Sequence, residues 1–99
     1  MIIVSLDDRS RRIKHESATP VSVQVAADIE ADIVAGRLAP DTRLPSEAEL
    51  SQQYGVARVS VRRAIQQLRE RGKVVTVHGR GTYVTLNPNT ADQGKATSS

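Results

Sequence analysis

Between Ser46 and Val84 the chain switches from one helical pattern to a second and then to an extended one, with a glycine at each switch. Ser46-Glu-Ala-Glu49 carries a capping box, in which the serine hydroxyl accepts from an orphan amide and Glu49 reaches back to the amide of Ser46. Leu50 and Tyr54, four apart, give this helix one buried face, and Gly55-Val56 ends it in a tight turn. A third helix starts near Ala57. Its Val61, Ala64, Ile65 and Leu68 fall at i, i+3, i+4 and i+7, an amphipathic stripe. Gly72 stops it. Lys73-Val-Val-Thr-Val77, the turn His78-Gly-Arg-Gly81 and Thr82-Tyr-Val84 then read as a β-hairpin with a glycine-rich tip.

Upstream, Pro20 opens a first helix from about Val21 to Ala35, ended by Gly36. Val25, Ala26, Ile29 and Ile33 form its buried stripe, and Asp28, Glu30 and Asp32 are expected on an acidic face turned elsewhere. Pro40, Asp41 and Pro45 make the segment from Arg37 to Pro45 a loop, with at most a short strand near Arg43-Leu44. Residues 1–19 lack a sustained period. They are assigned to a partly flexible N-terminal arm, with a short strand at Ile2 to Leu6 and a basic run, Arg9 to Lys14, that lies along a polyanion or is simply solvated. The organised unit spans 20–85, and the polar residues 86–99 are expected to be a disordered tail.

The order helix, short strand, helix, turn, helix, hairpin implies an α+β chain: a winged helix-turn-helix of three helices plus a small antiparallel sheet with a β-hairpin wing. In that geometry the second helix of the pair enters the major groove of duplex DNA. Charge agrees. The whole chain of 99 residues carries +3, yet Ala57 to Val84 holds seven basic residues against Glu70 alone, so the remainder is acidic on balance. Segregation of this kind is the footprint of a polyanion-binding face. At about 100° per residue, Arg58, Arg62 and Arg69 cluster beside the buried stripe, and Val59, Arg63 and Gln66 complete the outward face. The N-terminal residues of a recognition helix reach base edges best, which nominates Arg58, Val59, Ser60 and Arg62. Arginine can bond guanine O6 and N7 together, and valine can touch a thymine methyl. Arg63 and Arg69 are assigned to phosphates. Gly79 and Gly81 leave the wing tip without bulk, so that its backbone can press on phosphates or Arg80 can enter a narrow minor groove.

The segment RLPSEAELSQQYGVARVSVRRAIQQLRERGKVVTVHGRGTYV, Arg43 to Val84, closely resembles the DNA-binding domain of the GntR family of bacterial transcription regulators. The matching elements are Leu44-Pro-Ser-Glu47, Gly55-Val56, Arg58, Val61-Arg62, Ala64, Leu68, Gly72 and Gly79-Arg-Gly-Thr82, with helix one and Gly36-Arg-Leu38 extending the likeness. The resemblance implies that Arg58, Ser60, Arg62, His78 and Gly79 contact an operator. Arg43 and Glu47 match commonly shared positions; Arg43 is counted with the DNA face, and Glu47, acidic at a helix N-terminus, is taken as structural. Two positions depart from the pattern. Ala57 stands where a capping serine or threonine is usual, and Ala48 where some members carry an arginine. Only 15 residues follow Val84, too few for the effector-binding domain that such regulators usually carry, so no small-molecule effector is expected.

Other classes find little support. Cysteine is absent, which removes disulfides, thiolate metal sites and cysteine nucleophiles. His15 and His78 have no ligand-spaced companions, so neither metal, cofactor nor catalysis is expected. Tyr54 and Tyr83 are read as packing residues. The chain has no Phe or Trp for stacking single strands, which favours duplex DNA. No stretch approaches the roughly 20 apolar residues of a membrane helix, and the apolar opening MIIVSL has the wrong length and charge order for a secretory signal. The resulting expectation is a cytoplasmic, sequence-specific transcription regulator, a homodimer on DNA. Repression is expected because it needs only occupancy of a promoter. The alternative is a winged-helix protein-interaction module, or a plasmid or phage accessory module, using the same basic face.

Overall fold

The structure, a computed structural model, describes residues 8–86. The strand expected at Ile2 to Leu6 and the tail beyond Leu86 lie outside them. Three helices form: α1 (Val21–Val34), α2 (Glu47–Tyr54) and α3 (Arg58–Glu70). Two antiparallel strands follow, β1 (Val74–Val77) and β2 (Gly81–Val84), in the register Val74↔Val84, Val75↔Tyr83, Thr76↔Thr82 and Val77↔Gly81. The expected strand at Arg43-Leu44 is a single antiparallel bridge, Arg43↔Tyr83, on the far edge of β2. This is a winged helix-turn-helix.

The helices end where local chemistry ends them. Ser46 and Glu49 form the complete capping box: the Glu49 amide donates to Ser46 Oγ at 3.1 Å, and the Ser46 amide donates to Glu49 Oε1 at 2.8 Å. Gly55 takes φ 64°, a left-handed conformation that costs a residue with a Cβ but not glycine. It lets the Val56 amide return to the Ser51 carbonyl at 3.1 Å, while Ser51 Oγ donates to the Val56 carbonyl at 2.6 Å. Both polar groups of Val56 are thereby satisfied, and the turn between α2 and α3 is fixed. By contrast α3 starts at Ala57 with suitable extended geometry and no side-chain cap.

Beneath these elements lies one core. Val25, Ala26, Ile29 and Ile33 of α1 pack on Val61, Ala64, Ile65 and Leu68 of α3, with Leu50 and Tyr54 of α2 closing one side. Val74 and Val84 extend the core under the root of the hairpin. Each fully buried Leu or Val side chain contributes on the order of 1.5–3 kcal/mol, so this shared interior holds α3 against its neighbours.

The folded unit extends N-terminally of residue 20. Residues Ser10–Arg12 form a 3-10 turn, and Ile13 is buried in the core. Arg9 donates from Nη1 to Asp32 Oδ2 at 2.6 Å and Asp28 Oδ2 at 2.9 Å, and its amide donates to the Gln53 carbonyl. Arg12 bonds Asp28 and Arg37 bonds Asp32. The basic run read as arm or solvated segment therefore supplies counter-ions to α1. The acidic face expected on that helix is correspondingly closed: Asp32 is buried, and Glu30 pairs with Arg71 at 2.6 Å. The physical reason is that a carboxylate turned into the interior must be paired, and cations reach α1 from both sides in sequence: Arg9 and Arg12 before it, Arg37 and Arg71 after it.

Candidate nucleic-acid interface

The buried stripe of α3 turns the opposite face outward. Arg58, Val59, Arg62, Arg63 and Gln66 are exposed and Ser60 is half-buried. Val59, at 45 % relative exposure, is an apolar side chain displayed among arginines rather than packed. Arg71 is committed to Glu30, and Lys73 is buried at the root of the hairpin. The cationic surface of the segment is thus narrower than its composition, centred on the first two turns of α3 and on the wing.

The wing places His78, Gly79 and Arg80 at its tip, all exposed, closed by the Arg80 amide donating to the Val77 carbonyl at 2.9 Å. Its inner edge is tied to the 41–44 loop. The Leu44 amide donates to the Thr82 carbonyl at 2.8 Å, and the Val84 amide to the Thr42 carbonyl at 2.8 Å. Gly81 lies at φ 123°, and a Cβ there would stand 2.8 Å from Arg43 Nε. The glycine lets the Arg43 side chain lie flat on the wing.

Between α3 and the wing is a concavity of about 410 Å³ into which the fold gathers Arg43, Arg62 and Arg69, with Ser46, Glu47, Thr76 and Thr82 on its walls. Arg58, Arg63 and the wing-tip residues stand outside it. Glu47 holds Arg62 by two bonds, Nε to Oε2 at 3.2 Å and Nη2 to Oε1 at 3.0 Å. These bonds to a carboxylate raise the pKa of Arg62. Glu47, read from sequence as structural, is therefore also the partner of a nominated base-reading residue. Arg69 Nη1 donates to Thr76 Oγ1 at 2.7 Å, and Thr76 and Thr82 hydroxyls stand 3.3 Å apart. Sequence reasoning gave neither threonine a role, Thr82 entering only as part of the Gly79-Arg-Gly-Thr82 match. Their cross-strand pairing, two residues out from the buried Val74–Val84 pair, is the signal that places them on the inner face.

Tyr54 is 1 % exposed and donates to Asp28 Oδ2 at 2.6 Å, so it packs as expected and also closes the Arg9 network. Burial, followed by that bond to a carboxylate, raises its phenol pKa. Among the described residues no group of three or more His, Cys, Asp or Glu could hold a metal ion, and no helix is long and apolar enough to cross a membrane.

The family model "Bacterial regulatory proteins, gntR family" matches residues 21–84, from the start of α1 to the end of the wing. The chain belongs to the GntR family. The transcriptional repressor NagR of Bacillus subtilis (strain 168) is 37% identical over 73 residues, covering 74% of this chain and 30% of NagR. MngR of Escherichia coli (strain K12), the mannosyl-D-glycerate transport/metabolism system repressor, is 42% identical over 65 residues, covering 66% and 27%. This GntR chain thus spans under a third of the length of these curated relatives. Among solved structures, AraR(DBD) in complex with operator ORE1 superposes with a TM-score of 0.67 at 38% identity, covering 74% of this chain and 89% of that one. A GntR family regulator from Listeria monocytogenes superposes with a TM-score of 0.71 at 26% identity, covering 84% and 75%.

Proposed function

We propose that this GntR chain is a sequence-specific duplex-DNA-binding transcription regulator that acts as a repressor in the bacterial cytoplasm. One observation carries the reading: α3 displays Arg58, Val59, Ser60, Arg62 and Arg63 on a rigid face, with a basic wing beside it. Arg58, Val59, Ser60 and Arg62 read base edges in the major groove, and Arg63 anchors on a phosphate. Glu47 occupies the Nε–Nη2 edge of Arg62. The Nη1–Nη2 edge stays open to donate to guanine O6 and N7. His78, Gly79 and Arg80 meet the neighbouring minor groove or its phosphates, and Arg43 supports them from the wing's inner edge. Names of relatives that include a repressor of a transport and metabolism system, and a relative solved on its operator, support the same reading. Two copies pair on DNA, because two-fold protein symmetry matches inverted half-sites.

Selection of bound sequences from a random duplex pool tests the proposal. An enriched inverted repeat, bound with log K falling by about 0.9 per contacted phosphate in log salt, is the expected result. Arg62→Ala should abolish preference for the selected sequence while the far-ultraviolet circular dichroism stays that of the parent. Equal affinity of that variant for selected and scrambled duplexes at the parent's operator strength is impossible on this reading, and unchanged operator affinity would sink it. Failure to enrich any sequence, with retention of an acidic protein partner, would favour the protein-interaction alternative.

A further inference from the structure

The outer half of the wing needs something to set its angle. Apolar anchorage ends at Val74 and Val84, 2 % and 1 % exposed. Beyond them β1 is exposed at Val75, Thr76 and Val77. A hairpin of two four-residue strands is marginal by itself. β2 is held along its free edge by backbone bonds to Thr42 and Leu44. The side of β1 facing α3 meets Arg69, whose Nη1 donates to Thr76 Oγ1, and the Thr76–Thr82 hydroxyl contact passes that restraint across to β2. Arg69 sits in the last turn of α3, whose other end carries the base-reading residues. Three arginines share the concavity with one carboxylate, and that carboxylate is taken by Arg62. Arg69 is itself exposed, and its bond to the Thr76 hydroxyl holds the guanidinium against the wing instead of leaving it free in solvent.

We propose that Arg69 is a positioning residue rather than a phosphate ligand: through Thr76 it fixes the wing's tilt against α3, so that helix and wing meet adjacent grooves in one geometry. This rests on the DNA-binding reading and adds the element that sets its span. Arg69 and Thr76 act as one strut, and neither needs to touch DNA.

The two roles predict different salt behaviour. With the full chain and the selected duplex, Thr76→Val should weaken binding by about three- to tenfold, the scale of one lost hydrogen bond. Thr76→Ser, which keeps the hydroxyl, should bind as the parent does. Arg69→Met should match Thr76→Val, the double variant should be no weaker than either, and all should keep the parent's salt slope. Dimethyl sulfate protection should persist at guanine N7 in the major groove and fade at adenine N3 in the minor groove. A Thr76→Val variant that binds like the parent overturns the proposal. So does an Arg69→Met variant whose slope falls by about 0.9, the signature of a lost phosphate contact. If the parent binds no duplex, the DNA reading itself has failed, and the strut is then judged on the free protein. Amide exchange at Val77 should be faster in Thr76→Val than in Thr76→Ser, and equal rates overturn the strut as well.

Discussion

Arg62 and Glu47 form an ion pair whose value is not stability. Their side chains are 61% and 39% exposed, and solvent screens so wet a pair to little net stabilisation. What the two bonds supply is orientation, because a guanidinium held on one edge presents the other in a fixed direction. Glu47→Gln should therefore lower the ratio of operator to scrambled-duplex affinity, by about tenfold for one poorly placed bidentate contact. The same change removes a negative charge from a wall proposed to face DNA, so scrambled-duplex affinity should rise. Anisotropy titrations on both duplexes measure the two together. A variant that loses affinity equally for both would mean that Glu47 serves only helix α2.

At the level of elements, the start of α3 lacks the side-chain cap that α2 has. Ala57 holds extended N-cap geometry, φ −66° and ψ 149°, with no side-chain bond to the helix amides. Ala57→Ser should cap the helix and stabilise the chain by about 1 kcal/mol. For a domain of this size that is a rise of roughly 4–8 °C in thermal midpoint, readable by calorimetry. A serine there could also add one phosphate contact; being uncharged, it should leave the salt slope unchanged. The periodicities of α1, α2 and α3, the capping box and the glycine stops were legible in sequence because each depends on residues within a turn or two. The strand at Arg43-Leu44 reduced to one bridge because Asp41, at φ 66°, and the bond from its amide to the Val84 carbonyl bend the loop across β2.

Across the whole molecule, stability should depend on pH through Asp28. Partial burial raises its carboxyl pKa, but hydrogen bonds from Tyr54, Arg12 and Arg9 outweigh that and leave it below the ordinary value. A depressed folded-state pKa contributes stability above the unfolded value, about 3.9 for aspartate, and that stability is lost as pH falls through the folded value. Urea midpoints should therefore be flat above about pH 5 and drop in more acid solution. Asp28→Asn should lower the plateau and flatten the acid limb; an unchanged acid limb would remove Asp28 from the account.

The order of elements, the buried stripes and the outward face of α3 follow from local sequence, because caps, glycines and helical periodicity act over a few residues. Local sequence also nominated Arg58, Val59, Arg62 and the wing tip, each of which is exposed in the fold. How the charges are shared among partners depends instead on the packing of distant segments. Arg62 meets Glu47 across 15 residues, Arg9 meets Asp32 across 23, and Arg9 meets Tyr54 across 45. Arg69 and Thr76 are seven apart, yet a helix stop and a strand reversal lie between them. No periodicity links such pairs. Burial against a shared core brings them together, and it thereby turns a net basic segment into a surface where some arginines face outward and others hold the frame.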